Sequence, residues 1–399
     1  MNVNEFREAL GVDFYTGVPD SLLSVLCDSL IREYGDDMTH HIIAANEGNA
    51  VALAAGYHLS TGKIPVVYMQ NSGEGNAVNP ICSLLHPDVY GIPCLFVIGW
   101  RGEPGKKDEP QHVFQGKITH QQMEILGIKC FTLTAETTEE ELKAAISEFK
   151  DIFSQGQSAA IVVAKGALTS TEAPLKFKNG YVLKREQVLE IILRNISKNT
   201  VIVSTTGKTS RELFELREKL SEIPFKDSDN TNTDLLQKNK IHEQDFLTVG
   251  SMGHASSIAL GIALQKPQRH IMCIDGDGAS LMHMGAMAAV GRSGVRNYVH
   301  VVINNGAHES VGGFPTCSES ADFKEIARCC GYRKIWCAEN ESELLTVLKA
   351  IASDIDNNLQ NGAYFLEVKC AQGSRPDLGR PTLSAVQNKL NFMNMLLKR

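Results

Sequence analysis

Short apolar runs recur along this chain, each followed by a stretch of helical length, and no other feature constrains the fold as strongly. In the first half the runs are Pro65–Tyr68, Pro93–Ile98, Cys130–Leu133 and Ala160–Val163. In the second half they are Val201–Ser204, Ile271–Ile274, Val299–Ile303 and Tyr364–Val368. Helical patterns fall between them, among them 49–59, 139–149, 186–196, 279–293 and 343–355. The runs are near-continuous rather than alternating, which fits strands covered on both faces by helices. The expectation is α/β, with doubly wound and mainly parallel sheets.

A chain of 399 residues is long for one ordinary domain, and its 43% hydrophobic content can fill two cores. The alternation stops in the polar stretch GALTSTEAPLKFKNGYVLK, so residues 1–168 and 185–399 are expected as domains and 169–184 as their linker. A second polar tract, 226–244, reads as an excursion inside the second domain. Lys plus Arg number 39 against 46 Asp plus Glu, a formal charge of −7. That balance gives no electrostatic reason to bind nucleic acid or an anionic membrane, so an anionic ligand must meet a local basic pocket. The ten cysteines are scattered without CxxC pairs or zinc-type spacing, several of them inside apolar runs. With no signal-like first segment and no apolar stretch of membrane-spanning length, a cytoplasmic protein is expected.

The most informative motif is Gly276-Asp277-Gly278, followed after 25 residues by Asn304-Asn305. Either alone reads as a turn. The first follows the run HIMCID and the second ends YVHVVI, with room between them for one helical crossover. In a doubly wound sheet, strand carboxyl ends open on one crevice, so an Asp and an Asn could converge on a cation. Both offer hard oxygens suited to Mg²⁺ carrying phosphate, while glycines let backbone N–H groups approach closely. The turn STTGKTS at 204–210 presents hydroxyls and a helix start; its Thr206, Gly207 and Thr209 are candidates for a diphosphate, or simply a helix cap. Gly207-Lys208-Thr209 is not a Walker loop, because Ile202 stands where the first glycine would be required.

The paired motif GDG-x25-NN resembles the fingerprint of thiamine diphosphate-dependent enzymes. By that resemblance Asp277, Asn305 and the Ala307 carbonyl would hold Mg²⁺, with Gly276 and Gly278 beside the diphosphate. The 185–399 half would be the diphosphate-binding domain and 1–168 the pyrimidine-binding one, with no central domain between them. The string AANEGNAVALAAGY, 44–57, resembles the helix that supplies the catalytic Glu of the family, here Glu47, with Asn46 where relatives have His. Burial would raise the pKa of such a carboxyl and let it share a proton with the cofactor ring; a plain reading is a Glu favouring a helix N-terminus. Gly250-Ser251-Met252-Gly253 resembles the turn whose apolar residue wedges the cofactor into its bent form, which gives Met252 and Gly250 cofactor roles. The family also implies a homo-oligomer with sites at subunit interfaces.

A two-sheet chain resembles the phosphonopyruvate and sulfopyruvate decarboxylases within this class. YTGVPDS (15–21), IGWRGEPG (98–105), KDEPQH (107–112), VGSMGHA (249–255) and SRPDLGRP (374–381) resemble the phosphonopyruvate branch. The resemblance implies decarboxylation of a 2-oxo acid bearing a phosphonate, as a step of phosphonate biosynthesis. Such a dianion calls for clustered cations in Gly/Pro-rich segments; Arg101, Lys107, His112 and Arg375 are the candidates, each also readable as surface charge. Asp20 and His112 are the further catalytic candidates, Asp20 being readable as a turn residue. The sulfonate analogue of the substrate, an acetolactate-type carboligase and a non-catalytic cofactor-binding subunit are the alternatives.

Overall fold

The computed structural model describes residues 1–197, 199–221 and 241–398. They divide into two compact units, Met1–Phe177 with Ser310–Pro315, and Lys178–Glu309 with Thr316–Arg399.

The first unit contains β1 (Tyr15–Gly17), β2 (His41–Ile43), β3 (Val66–Gln70), β4 (Leu95–Gly99), β5 (Lys129–Leu133) and β6 (Ala159–Val163). They pair, all in parallel, in the order β2-β1-β3-β4-β6-β5. The second contains β7 (Thr200–Ser204), β8 (Asp245–Leu247), β9 (His270–Gly276), β10 (Tyr298–Asn304), β11 (Lys334–Ala338) and β12 (Tyr364–Lys369). Its order is β8-β7-β9-β10-β12-β11, again all parallel. Strand for strand, the two sheets have one topology. In each, the direction of winding reverses between the first and third strands, and it is there that doubly wound sheets bind ligands at strand carboxyl ends.

Successive residues of the central strands enter opposite cores. Val66 and Tyr68 of β3 lie in one cluster while Val67 and Met69 lie in another. On β10, Val299, Val301 and Ile303 face one side and Tyr298 and Val302 the other. Both faces are therefore apolar, which is why these strands read as unbroken hydrophobic runs. Each such side chain contributes about 1.5–3 kcal/mol on burial.

Four strands lie outside the expected runs, the three-residue β1, β2 and β8, and also β11. The helix expected over 279–293 is two helices, Asp277–Met282 and Gly285–Ser293, because His283 leaves helical geometry at ψ 46°. The division between units at 177/178 lies within the stretch expected as linker, which carries no helix or strand. Ser310–Pro315, expected in the second domain, instead goes with the first unit. Phe314 is the reason: it is buried in the first unit's core, with its ring 6.2 Å from that of Phe177. Of the polar tract 226–244, residues 226–240 lie outside the described residues. All ten cysteines are free. Among the described residues, no helix is long and apolar enough to cross a membrane.

Candidate functional site

In the second unit, β9 delivers Gly276-Asp277 and the neighbouring β10 delivers Asn304-Asn305, with Ile303 in register with Gly276. Asp277 is 2% exposed and begins the helix Asp277–Met282. The Thr316 hydroxyl donates to its Oδ2 at 2.5 Å. Burial pushes this carboxyl up from its ordinary value, against hydrogen bonds from Thr316, Ser318, its own N–H and the backbone N–H of Asn305. Asp277 and Asn305 thus follow closely on the registered pair Gly276 and Ile303, at the ends of adjacent strands. The donors around this buried carboxylate are hydroxyls and N–H groups, none of them cationic, and a divalent ion would supply the missing positive charge. Asn305 Oδ1 accepts from Ala307 N–H at 3.0 Å, so two of the three expected ligands share one tight turn, and Asp277 begins the helix after the neighbouring strand. A Cβ on Gly278 would come within 3.1 Å of both His308 and Thr316, so only glycine fits comfortably there. Above Gly276 the space is open to 4 Å. An all-oxygen donor set with an open glycine beside it fits Mg²⁺ carrying phosphate oxygens.

The turn after β7 lies beside this point. Thr205 N–H donates to the Ile274 carbonyl at 2.7 Å, tying that turn to β9. Ser210 Oγ closes it with hydrogen bonds to Ser204 Oγ and the Thr205 carbonyl, both 2.7 Å. Gly207 has φ 88°, which places Lys208 and Thr209 in the first turn of the helix Lys208–Ser221. Their N–H groups belong to the end of the helix that attracts anions. The turn 250–253 packs on the Asp277–Met282 helix, where a Cβ on Gly253 would lie 2.7 Å from the His283 ring and 2.8 Å from the Ala279 carbonyl. Ser251 at φ 53° and Gly253 at φ 84° hold Met252 between two left-handed residues.

In the first unit, Glu47 opens the helix Glu47–Thr61, with Asn46 Oδ1 capping it through Gly48 N–H at 2.7 Å. Its side chain folds inward. Glu47 is 5% exposed and accepts from Asn76 Nδ2 at 2.7 Å. A Cβ on Gly73 would fall 2.4 Å from Glu47 Oε1, so that glycine leaves the space the carboxyl fills. Burial raises the pKa of Glu47, and the Asn76 hydrogen bond partly opposes the rise.

Asp20, wholly buried after β1, accepts from Gln70 Nε2 at 2.5 Å and from Leu22 N–H at 2.8 Å. Gln70 ends β3, so the pair spans the winding reversal of the first sheet. Arg101 follows β4 and is already engaged. Its Nε and Nη2 meet the two oxygens of Asp108 at 2.8 and 2.5 Å, and Nη1 donates to Ser21 Oγ at 3.0 Å. Asp108 also accepts from Gly102 and Glu109 N–H; against its partial burial, Arg101 first and then these two amides hold its carboxyl far below the usual range. His112 lies on the first turn of Pro110–Ile125, with a buried Nδ1 that has no hydrogen-bond partner among the described residues. Burial and the nearby Arg101 charge lower its pKa. Lys107 is exposed at the loop tip. Arg375, in the second unit, is paired with Glu186, Glu215 and Asp377.

The sheet topology therefore gathers Asp277, Asn305, Ala307 and the 204–210 turn at one end of the second sheet. Asp20, Arg101 and His112 gather around the end of the first. Gln70, Asn71, Gly73, Asn76 and Asp108 escaped the sequence reading. Asn71 is wholly buried and joins the Arg101 backbone to Thr119 through hydrogen bonds of 2.8 and 2.9 Å. For Gln70, Asn71, Gly73 and Asn76 the nearest signal is their density in one polar string, QNSGEGN, at the end of a strand; Asp108 has no such signal. A groove of about 1090 Å³ in the first unit, lined by Arg7, Tyr15, Asp28 and Arg32, contains none of the expected residues. One buried trio of metal-ligating types, Cys273, Asp275 and His300, lies on β9 and β10 beneath Asp277.

Comparison with known proteins gives a family for both units. The family described as "Thiamine pyrophosphate enzyme, N-terminal TPP binding domain" matches residues 4–125. "Thiamine pyrophosphate enzyme, C-terminal TPP binding domain" matches residues 232–368. A phosphonopyruvate decarboxylase of Streptomyces viridochromogenes is 32% identical, over 96% of this chain and 91% of its own. One of Streptomyces hygroscopicus is 32% identical over 93% and 87% respectively. A sulfopyruvate decarboxylase of Methanosarcina acetivorans is 26% identical over 82% and 81%.

Proposed function

The chain belongs to the phosphonopyruvate decarboxylase family of thiamine diphosphate enzymes, and from that premise we propose that it converts 3-phosphonopyruvate to phosphonoacetaldehyde and CO2. The observation that carries this reading is the placement of Asp277 and Asn305 at the registered ends of adjacent strands, in a family whose chemistry needs a metal-held diphosphate. Asp277, Asn305 and the Ala307 carbonyl would hold Mg²⁺. Thr206, Gly207 and Thr209, with Gly276 and Gly278, would take the diphosphate, and Gly250 and Met252 would seat the ring system. Thiamine diphosphate, when bound, supplies the electron sink for the pair left behind as CO2 departs.

The side chains supply the rest. Glu47, whose proton affinity is raised by burial, can hold a proton on its carboxyl and pass it to a ring nitrogen. His112 has a lowered pKa and an unpartnered Nδ1, so it can take a proton from or return it to the substrate. Asp20 is held by Gln70 and the Leu22 amide in a fixed orientation, suited to the same work. An anionic substrate reaching Arg101 would compete with Asp108 or displace Ser21 from Nη1. Lys107 is exposed and can meet the phosphonate without such exchange. Arg375 would first have to leave three carboxylates.

Identity of 32% to a phosphonopyruvate enzyme over 96% of this chain, against 26% over 82% for a sulfopyruvate enzyme of similar span, supports a phosphonate over the sulfonate analogue. Glu47, Asp277 and Asn305 are all present, which counts against a non-catalytic subunit. A homo-oligomer is part of the proposal. Helices Glu47–Thr61 and Pro110–Ile125 expose Leu59 at 72%, Phe114 at 70% and Ile125 at 85%, apolar surface that a second copy could cover. Phosphonate biosynthesis in the cytoplasm is the setting proposed for the reaction. The test is aldehyde release by the purified chain with thiamine diphosphate and Mg²⁺ from phosphonopyruvate, sulfopyruvate and pyruvate. Fastest turnover of phosphonopyruvate is expected; faster turnover of sulfopyruvate would overturn the substrate assignment.

A further inference from the structure

An amide ligand serves a hard cation only through its oxygen, so the NH2 end must be turned elsewhere. Asn305 meets that condition through Glu309. Glu309 Oε2 accepts from Asn305 Nδ2 at 2.6 Å, while Asn305 Oδ1 accepts from Ala307 N–H at 3.0 Å. A carboxylate has only acceptors to offer, so it selects the NH2 end of the amide and leaves Oδ1 to face the cation.

Glu309 is itself held from several sides. Arg185 Nη1 lies 3.3 Å from Oε2, Lys208 Nζ lies 3.6 Å from Oε1, and Gly373 N–H donates to Oε1 at 2.9 Å. Its side chain is 13% exposed. Arg185 is in turn clamped by both oxygens of Glu212 at 2.7 Å. Lys208 belongs to the 204–210 turn, so one carboxylate links the Asp277–Asn305 centre to the turn assigned to the diphosphate. We propose that Glu309 is a positioning residue of the metal centre, fixing the Asn305 amide so that Oδ1 is presented to the cation. This rests on the reading of Asp277 and Asn305 as metal ligands. Outer hydrogen-bond partners of this kind orient ligands elsewhere, and losing one costs roughly 10–100-fold in metal affinity.

The competing account is that Glu309 only neutralises Arg185 and Lys208. Mn²⁺ titration of the full chain with thiamine diphosphate present, followed by electron paramagnetic resonance of the free ion, separates the two. Glu309→Ala should weaken Mn²⁺ binding roughly 10–100-fold. Glu309→Gln keeps an acceptor for Asn305 Nδ2 and should bind Mn²⁺ almost as the parent chain does. Thermal melting of each variant without metal checks that the fold is retained. Unchanged affinity in Glu309→Ala, or a loss in Glu309→Gln as large as in Glu309→Ala, would overturn the proposal. If the alanine variant does not fold, lost affinity in a folded Glu309→Gln chain would overturn it alone. Asp277→Ala guards the premise: Mn²⁺ binding unaffected there would sink the metal site itself, whereas loss there with normal Glu309→Ala binding sinks only the role of Glu309.

Discussion

Asn76 donates to Glu47 across 2.7 Å, joining the first turns of two helices that begin with the same string, Glu-Gly-Asn-Ala-Val at 47–51 and 74–78. Burial raises the pKa of Glu47 and this hydrogen bond lowers it. Asn76→Ala should therefore raise it further, which infrared difference titration of the carboxyl would detect. The lost bond, to a group that can carry charge, is worth about 1.5–3 kcal/mol, so turnover should fall about tenfold or more.

Gly73→Ala isolates the same carboxyl from the other side. The backbone at Gly73, φ −78°, is one alanine adopts readily, so the cost falls on the Glu47 oxygen 2.4 Å from the new Cβ. Melting temperature should change little while turnover drops about 100-fold, the effect of moving a catalytic group by roughly 1 Å. Unimpaired turnover would show that Glu47 does not act from this position.

Glu74 makes stability depend on pH. Its side chain is wholly buried, Oε1 lacks a partner among the described residues, and burial pushes its pKa from 4.5 up to about 8. The folded state thus keeps a proton that the unfolded chain releases above 4.5. Its contribution is intact below that point and is lost as pH rises toward about 8. The slope is at most about 1.4 kcal/mol per pH unit. Glu74→Gln removes the ionisation and should flatten this decline. In urea unfolding the variant should match the parent near the acid end and exceed it at pH 8; equal stability at both ends would contradict the assignment.

How far the sequence could be read follows from what each residue depends on. The paired motif around Asp277 and Asn305 was legible because a strand end fixes where its last residues point, and spacing reveals the strands. Glu47 was legible as the start of a helix. Asn76, Gly73, Asp108 and Glu309 act through contacts made only once the chain has folded, and no local pattern marks them. Strands of three residues leave too short a hydrophobic signal, so β1 was present only as part of a recognised string. The placement of 310–315 with the first unit rests on where Phe314 is buried, which no linear pattern could reveal.

Asp108 is expected to govern the loop after β4. Its carboxylate gathers Arg101 and two backbone N–H groups, and the helix carrying His112 begins two residues later. Asp108→Ala removes a competitor for Arg101 but also the anchor that positions Arg101 and His112; the lost positioning should outweigh the freed guanidinium, raising KM for the 2-oxo acid about tenfold, equivalent to about 1.4 kcal/mol. Steady-state kinetics would show this, and an unchanged KM would remove the loop from substrate binding.

The most direct test of the whole reading is calorimetric titration of thiamine diphosphate into the purified chain with Mg²⁺ present. Saturable binding at one cofactor per chain, abolished in Asp277→Ala, is the expected result. No heat of binding, or equal binding by Asp277→Ala, would contradict it.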